Sequence, residues 1–593
     1  MALEQTLTQL EGAQLVRQLE QVEATYQFRH TLTQETVYQS LLRSTRREVH
    51  LRVAQAYEEI AVDQLDEFAA LLAQHYGEAG EDAKTLEYAT RAGNAAARVY
   101  AHTEAETHYA RAIEIAKRGA AHDRASLQDL FLKRGRVLEL SGRYDDALAN
   151  YAEMETGARA QNDRALELAA LMARATIHST PTARYNLALG RELLDRALAL
   201  ARTLNEPAAE SKALWTLMLV NYFQSNYDQA IACGEQSLAI ARQLNLREQM
   251  AFTLNDLSRN YIGRGRATEG RAVIAEARAL WRELGNLPML ADSLATSAEG
   301  YFFLGDYTSA RELAQEAYQL SKSIGNLWNQ AFSRWAIGYL ALERGDIEES
   351  IHALQDAIDV GKQSGFIAAA LIAQGMLGWV YGLYGNLQQG IEIIQAISYP
   401  QDISIGFEAW HLGVLAQLHL AYGDLAQAEA IIQRAYVGLD LADLTWFSPI
   451  FVMLADGEIA MVRQEYARVI ALTDQLLKRM RELNMRPFVS DVLLLKAKAL
   501  RAQGNLEAAR ALLIQAREDA QALESRRALW EICATLSQVE AACGNHAQAI
   551  TLRAQAREII AYIVAHTPTP LRESFLGLPT ISTILAGSET SQL

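Results

Sequence analysis

A ruler of about forty residues runs through this chain and limits what it can fold into. The stretches "FLGDYTSA" (303–310), "ERGDIEES" (343–350), "LYGNLQQG" (383–390) and "AYGDLAQA" (421–428) share one pattern. Each has Gly, then Asp or Asn, then an apolar residue, then a small residue three positions on. Their glycines, Gly305, Gly345, Gly385 and Gly423, stand 40, 40 and 38 apart. Towards the N-terminus the marks continue at Gly265, Ser225, Ala183 and Gly142; towards the C-terminus they continue at Gln464, Gly504 and Gly544. A period of this length, held over eleven marks, signals a stacked array of supersecondary units.

The chemistry of each mark predicts two helices joined by a turn. Glycine takes the left-handed conformation that ends one helix, and Asp or Asn then caps the next. Ala147, Ala230, Ala310, Ala428, Ala509 and Ala549 follow their marks by five residues. A second row, Ala277, Ala317, Ala357, Ala435, Ala516 and Ala556, falls twelve after the mark. Small residues seven apart share one helix face and let a neighbouring helix come close. Tyr261, Tyr301 and Tyr381, four before their glycines, are expected to fill the space between helices.

Composition agrees. With 593 residues the chain is too long for one core, since single cores stop growing at roughly 250–300 residues. Half its residues are hydrophobic, and only nine are proline. The net charge of −16 argues against general nucleic-acid binding. Three cysteines, Cys233, Cys533 and Cys543, lack metal or redox spacing and fit a reducing compartment. The start "MALEQTLTQLEGAQLV" has no signal-peptide pattern, and no apolar run reaches membrane-helix length, so a cytoplasmic protein without a membrane segment is expected.

The turn and both alanine rows resemble the tetratricopeptide repeat, whose pattern runs W-x-x-L-G-x-x-Y and then A, F and A. The Leu-Gly pair is intact at Leu377-Gly378, while Gly alone stands at Gly135 and Gly338. The resemblance implies an all-α, right-handed superhelical solenoid of about eleven or twelve long helix pairs, with a concave binding face. Long repeats of this kind resemble those in the sensor arm of the maltose-regulon activator and its relatives.

Residues 1–120 read differently. "YQFRH" (26–30) looks like a short strand, and residues 31–60 read as one amphipathic helix with Leu32, Val37, Tyr38, Leu41, Leu42, Val49, Val53 and Tyr57 on its stripe. With "LAQHYGEAG" (72–80), this block resembles the join in STAND-type signalling ATPases where a winged helix closes the nucleotide-binding module. "LRESFLGLP" (571–579) resembles the closing segment of such proteins. The resemblance implies a winged-helix remnant at 1–30, a helical linker and irregular first repeat at 31–120, the solenoid at 121–565 and a tail at 566–593. It also implies that Phe28, Arg29, His30, Arg43 and Arg47 once faced an ATPase domain. No G-x-x-x-x-G-K-[ST] loop occurs in the sequence. Met1 falls inside the winged helix of that resemblance, which leaves a fragment, a split gene or a relative that shed its motor as alternatives.

Candidates for chemistry are few. His30, His50 and His75 are 20 and 25 apart, without ligand spacing, and read as packing or capping residues. His411 and His419 lie two turns apart on one helix and also read as structural. The basic cluster Arg43, Arg46, Arg47 and Arg52 suggests pairing with Glu48, Glu58 and Glu59, or contact with an ATPase, ahead of DNA binding in so acidic a chain. No catalytic set assembles, and neither cofactor nor metal is expected. The remaining surface is the concave face, reached about six, ten and thirteen residues before each turn. Those positions hold Trp215, Arg259, Glu299, Trp335, Trp379, Trp410, Glu458 and Lys498.

The expectation is therefore a non-catalytic scaffold that binds a protein, a peptide or a small inducer. The alternative is a split subunit that works with a separate P-loop polypeptide as a STAND ATPase or transcriptional regulator.

Overall fold

The computed structural model describes residues 2–19, 25–118, 124–180, 182–224, 226–399, 405–437, 439–441, 444 and 447–586. Among them are thirty α-helices and one two-stranded sheet, and the chain divides into two compact units, Met1–Leu138 and Glu139–Leu593. No helix among the described residues is long and apolar enough to cross a membrane.

The first unit opens with α1 (Ala2–Gly12) and an antiparallel hairpin of β1 (Val16–Leu19) and β2 (Thr25–Phe28), in which Val16 pairs with Phe28 and Leu19 with Thr25. The helix expected over 31–60 is two: α2 (Thr31–Ser40) and α3 (Arg43–Ile60). The break lies at Leu41-Leu42, whose ψ angles of 139° and 148° are extended. Ser40 Oγ donates to the Val37 carbonyl at 2.7 Å, the local serine-to-backbone bond that competes with helix continuation. Then follow α4 (Ala69–Ala79), α5 (Asp82–Arg98), α6 (His102–Arg118) and α7 (Arg124–Leu140), the last crossing into the second unit. Leu72, Tyr76, Tyr88, Tyr109, Ile113 and Phe131 form the core of the first unit.

The second unit is a tetratricopeptide-like solenoid. Helices of about seventeen residues alternate as first and second members of pairs, for example Arg247–Gly263 with Ala267–Leu284, and Leu287–Phe303 with Tyr307–Ser323. The turn between members behaves as its chemistry dictates: Gly265, Gly305 and Gly385 have φ of 76°, 79° and 83°, and Gln464 adopts 62° in the same role. Asp306, Asn386, Asp424 and Asn505 accept the cap hydrogen bond of the following helix, whereas Asp346 and Asn545 make no side-chain cap. Ser225 lies outside the described residues. The alanines twelve after the mark, at 277, 317, 357, 516 and 556, are fully buried, as close helix packing requires.

The solenoid also closes on itself. A Cβ placed on Gly265 would sit 2.8 Å from the Glu482 carbonyl; on Gly385 it would sit 2.6 Å from the Ser574 carbonyl. The Glu348 amide donates to the His566 carbonyl at 3.0 Å, and Tyr562 Oη donates to Asp346 at 2.7 Å. Turns therefore rest on residues about 190–220 further along, one superhelical coil later. A buried ionic cluster ties the coils. Arg527 Nε meets Glu343 at 2.7 Å, and its two terminal nitrogens fork onto Asp491 at 2.7 and 2.9 Å. The segment expected as a tail carries two short helices, Thr569–Leu576 and Pro579–Ala586, with Phe575 packed 4.9 Å from the Tyr384 ring.

Candidate functional site: a charged cleft on the inner helices

Side chains one repeat apart become neighbours on adjacent first helices. Arg259 and Glu299, each six before its turn glycine, meet at 3.4 Å (Nε to Oε2). Asp256 and Thr296, each nine before the turn, complete the wall. Arg259 donates to Thr296 Oγ1 at 2.5 Å and approaches Asp256 Oδ1 at 3.5 Å. Trp215 Nε1 donates to the other Asp256 oxygen at 2.8 Å, and Asn255 donates to Asp292 at 2.8 Å. The guanidinium also lies over the Phe332 ring, 5.3 Å from its centroid.

Arg259, Thr296 and Glu299 line a cleft within the second unit. Tyr222, Arg259, Thr296, Glu299 and Asn484 are its polar lining residues, set among the apolar Ile262, Phe303, Leu304, Leu444, Leu483 and Met485. Leu483 and Met485 come from the coil that closes over the turn at Gly265. Burial raises the Asp256 carboxyl to about 6, against the pull of Arg259, with Asp292 adding repulsion. Burial likewise raises Glu299, while Arg259, against its own desolvation, is held charged by Asp292, Glu299 and Asp256.

The other expected groove positions have different surroundings. Lys498 pairs with Glu531 at 2.5 Å, and Gln417 approaches Glu458 at 3.4 Å. Burial lifts Glu458 to about 7, opposed chiefly by Lys498. Trp215, Trp335, Trp379 and Trp410 are all buried, none more than 8 % exposed. Expecting these indoles on an open wall is corrected by their packing. At Trp379 the space is filled by Phe451 and Phe488, with ring centroids 5.1 and 6.1 Å away, and by Arg527 at 5.1 Å. Phe447 and Phe488, just before their helices, adopt φ of 59° and 66° and turn their rings 5.3 Å from each other. The coil after Trp379 thus plugs the groove with aromatic rings. No periodicity argument registers contacts at such sequence separation, which is why Phe447, Phe488 and the Glu343–Arg527–Asp491 cluster escaped the sequence reading. Asp256 and Thr296 were within reach, because both lie on the ruler.

In the first unit Phe28, Arg29, His30, Arg43 and Arg47 are all exposed. Leu32 and Leu42 are 77 % and 74 % exposed, and Val37 and Val49 are also largely open. Arg52 pairs with Glu48 at 2.5 Å, but Glu58 does not pair with the arginines: Lys84, Tyr76 and Tyr88 donate to it instead. Burial would raise the Glu58 carboxyl, but those three hydrogen bonds outweigh it and hold it at about 2. His50 and His75, distant in sequence, meet Nδ1 to Nδ1 at 2.8 Å, and Tyr38 Oη lies 3.0 Å from His50 Nε2. His411 is buried and its imidazole is pushed down to about 3, a structural residue that stays neutral. No set of three or more His, Cys, Asp or Glu among the described residues could hold a metal ion.

The tetratricopeptide repeat family model matches residues 249–323, the stretch that carries Asp256, Arg259, Asp292, Thr296 and Glu299. No curated protein matches the chain. Among solved structures, a Rap protein complexed with Competence and Sporulation Factor is similar at 12 % identity and a TM-score of 0.42, over 67 % of this chain and 98 % of that one. A Signal Transduction ATPase with Numerous Domains with a tetratricopeptide repeat sensor, from Pyrococcus horikoshii, is 13 % identical with a TM-score of 0.41. That match covers 73 % of this chain and 57 % of the ATPase. The human IFIT1 dimer with PPP-AAAA is 14 % identical with a TM-score of 0.36, over 82 % of this chain and 95 % of that one. The chain carries a tetratricopeptide-type repeat domain, and its fold is an all-α repeat solenoid.

Proposed function

We propose that the chain is a non-catalytic interaction scaffold, derived from the sensor arm of a STAND-type signalling ATPase, that binds a protein, peptide or inducer on the inner helices. The observation that carries this reading is the meeting of Arg259 and Glu299 in the lining of a cleft. A few placed polar groups among apolar lining residues are the ordinary makeup of a recognition site. Glu458 and Lys498 extend the same row of inner-helix positions and belong to the proposed binding face. The test is a photo-reactive benzophenone amino acid in place of Leu304, irradiated in native lysate. A discrete adduct, lost when Arg259→Ala and Glu299→Ala are added, supports the reading; no adduct above that of an exposed control position contradicts it.

The second reading, a split subunit joined to a separate P-loop polypeptide, is favoured by the open apolar side chains Leu32, Val37 and Leu42 beside Arg43 and Arg47. Its interface would also use Phe28, Arg29 and His30. Co-purification of such a polypeptide with the wild type, abolished by Leu32→Asp and Leu42→Asp, would establish it; retention by the double variant would remove it.

A further inference from the structure

The cluster around Arg259 has more acceptors than donors, and of its carboxylates Glu299 lines the cleft. Asp256, Asp292 and Glu299 surround a single guanidinium, and the contacts of Arg259 to Asp256 and Glu299, 3.5 and 3.4 Å, are long for charge-assisted hydrogen bonds. Its closest contact, at 2.5 Å, goes to the neutral Thr296 hydroxyl. Asn255, fully buried, donates its amide to Asp292 and leaves its own Oδ1 in the same cluster without a donor. Buried acceptors without donors are rare in folded proteins and carry a desolvation penalty. Beside Arg259 and Glu299 the cleft is also lined by Ile262, Phe303 and Leu444, which can cover an aliphatic stem but satisfy no polar group.

We infer that this cleft takes an organic cation on an aliphatic stem, an ammonium or guanidinium such as a lysine or arginine side chain of a peptide, with its head against Glu299 and its stem along Ile262 and Phe303. The inference rests on reading the cleft as the binding site. The charge balance decides the sign. Three carboxylates against one guanidinium repel an anion, whereas a second cation supplies the missing donors and favours the ionised forms of Asp256 and Glu299 that burial otherwise opposes. Binding therefore releases protons, because burial lifts the Asp256 and Glu299 carboxyls above the ordinary carboxylate range and a second cation opposes that lift.

The experiment is calorimetric titration of the full chain with acetyl-Leu-Arg-Leu-amide, the same peptide with citrulline for arginine, and free agmatine. The arginine peptide is expected to bind roughly tenfold or more tightly than the citrulline peptide, with an enthalpy that changes with the buffer's ionisation heat. Glu299→Gln, nearly isosteric, should erase that preference while retaining the wild-type melting temperature; Glu312→Gln, on the exposed face of another helix, should preserve it. Agmatine binding as well as the arginine peptide would mean that the free cation suffices, and peptide binding alone that the flanking residues matter; both support a cation site. Equal affinity for the citrulline peptide, or no heat from any cationic probe, overturns the inference. If the Leu304 cross-linker still captured a neutral or acidic partner in that case, the binding-site reading would stand and only the ligand's charge would be wrong.

Discussion

Two sets of turns share the same periodic glycine and do different work. At Gly265, Gly305, Gly345 and Gly385 the turn presses on the next superhelical coil, and an added Cβ would meet backbone or side-chain atoms within 2.9 Å. At Gly423, Gly504 and Gly544 the same Cβ would meet nothing within 4 Å. Both sets need the left-handed conformation; only the first also needs the missing side chain. The motif records the local demand and is silent on the tertiary one. A repeat that looks uniform in sequence is thus mechanically divided into turns that bear the next coil and turns that do not.

The largest expected effect comes from removing the tie between coils. Arg527→Ala leaves Glu343 buried and Asp491 partly buried without their shared cation and should destabilise the second unit by about 3–5 kcal/mol, read from denaturant unfolding. If Arg527→Ala unfolds no more easily than a surface substitution, the coils are not held there.

The next effect sharpens the comparison directly. Gly385→Ala should lower stability clearly more than Gly504→Ala: both lose about 1 kcal/mol to the left-handed backbone, and the first adds a clash worth roughly 1–3 kcal/mol. Equal melting temperatures for the two variants would show that the coil contact at Ser574 is not made.

A third, smaller effect concerns pH. Glu458 is raised from 4.5 to about 7, so the folded state holds a proton that the unfolded state has released between those values. Stability of the second unit should therefore fall as pH rises from about 4.5 to 7. Glu458→Gln should flatten that decline, checked by thermal melts across the window. Glu58 has the opposite sign: its carboxyl is held at about 2, so its contribution to the first unit is present above about 4.5 and lost as pH falls towards 2.

The smallest effect is local. Asn505→Ala removes a cap that accepts from Ala508 and should cost about 1 kcal/mol, whereas Asn545→Ala removes no such bond to its own helix.

Much of the fold was legible in the sequence because its period is covalent. Gly, Asp or Asn and two alanines at set intervals specify turn, cap and close packing, and the helix pairs of the second unit follow them. The break at Leu41-Leu42 was not legible, since a helical stripe of apolar residues does not show that Ser40 will take a backbone carbonyl. The candidate site was half legible. Counting back from the turns found Arg259 and Glu299, because one repeat of separation makes neighbours on adjacent first helices. It could not show that Phe488 and Phe451 fill the space at Trp379, or that Leu483 and Met485 close the cleft at Arg259, since those contacts depend on how steeply the superhelix winds. Pitch emerges from the sum of many small interhelical rotations and is written in no single motif.

The most direct test of the closed coil is disulfide trapping of Glu348→Cys with His566→Cys in a chain carrying Cys233→Ser, Cys533→Ala and Cys543→Ser. The backbones of these two positions are hydrogen-bonded at 3.0 Å across 218 residues of sequence. Rapid, near-complete intramolecular cross-linking of the folded protein under mild oxidation is the result expected. Cross-linking no faster than for a pair on opposite faces would contradict it and return the solenoid to an open superhelix.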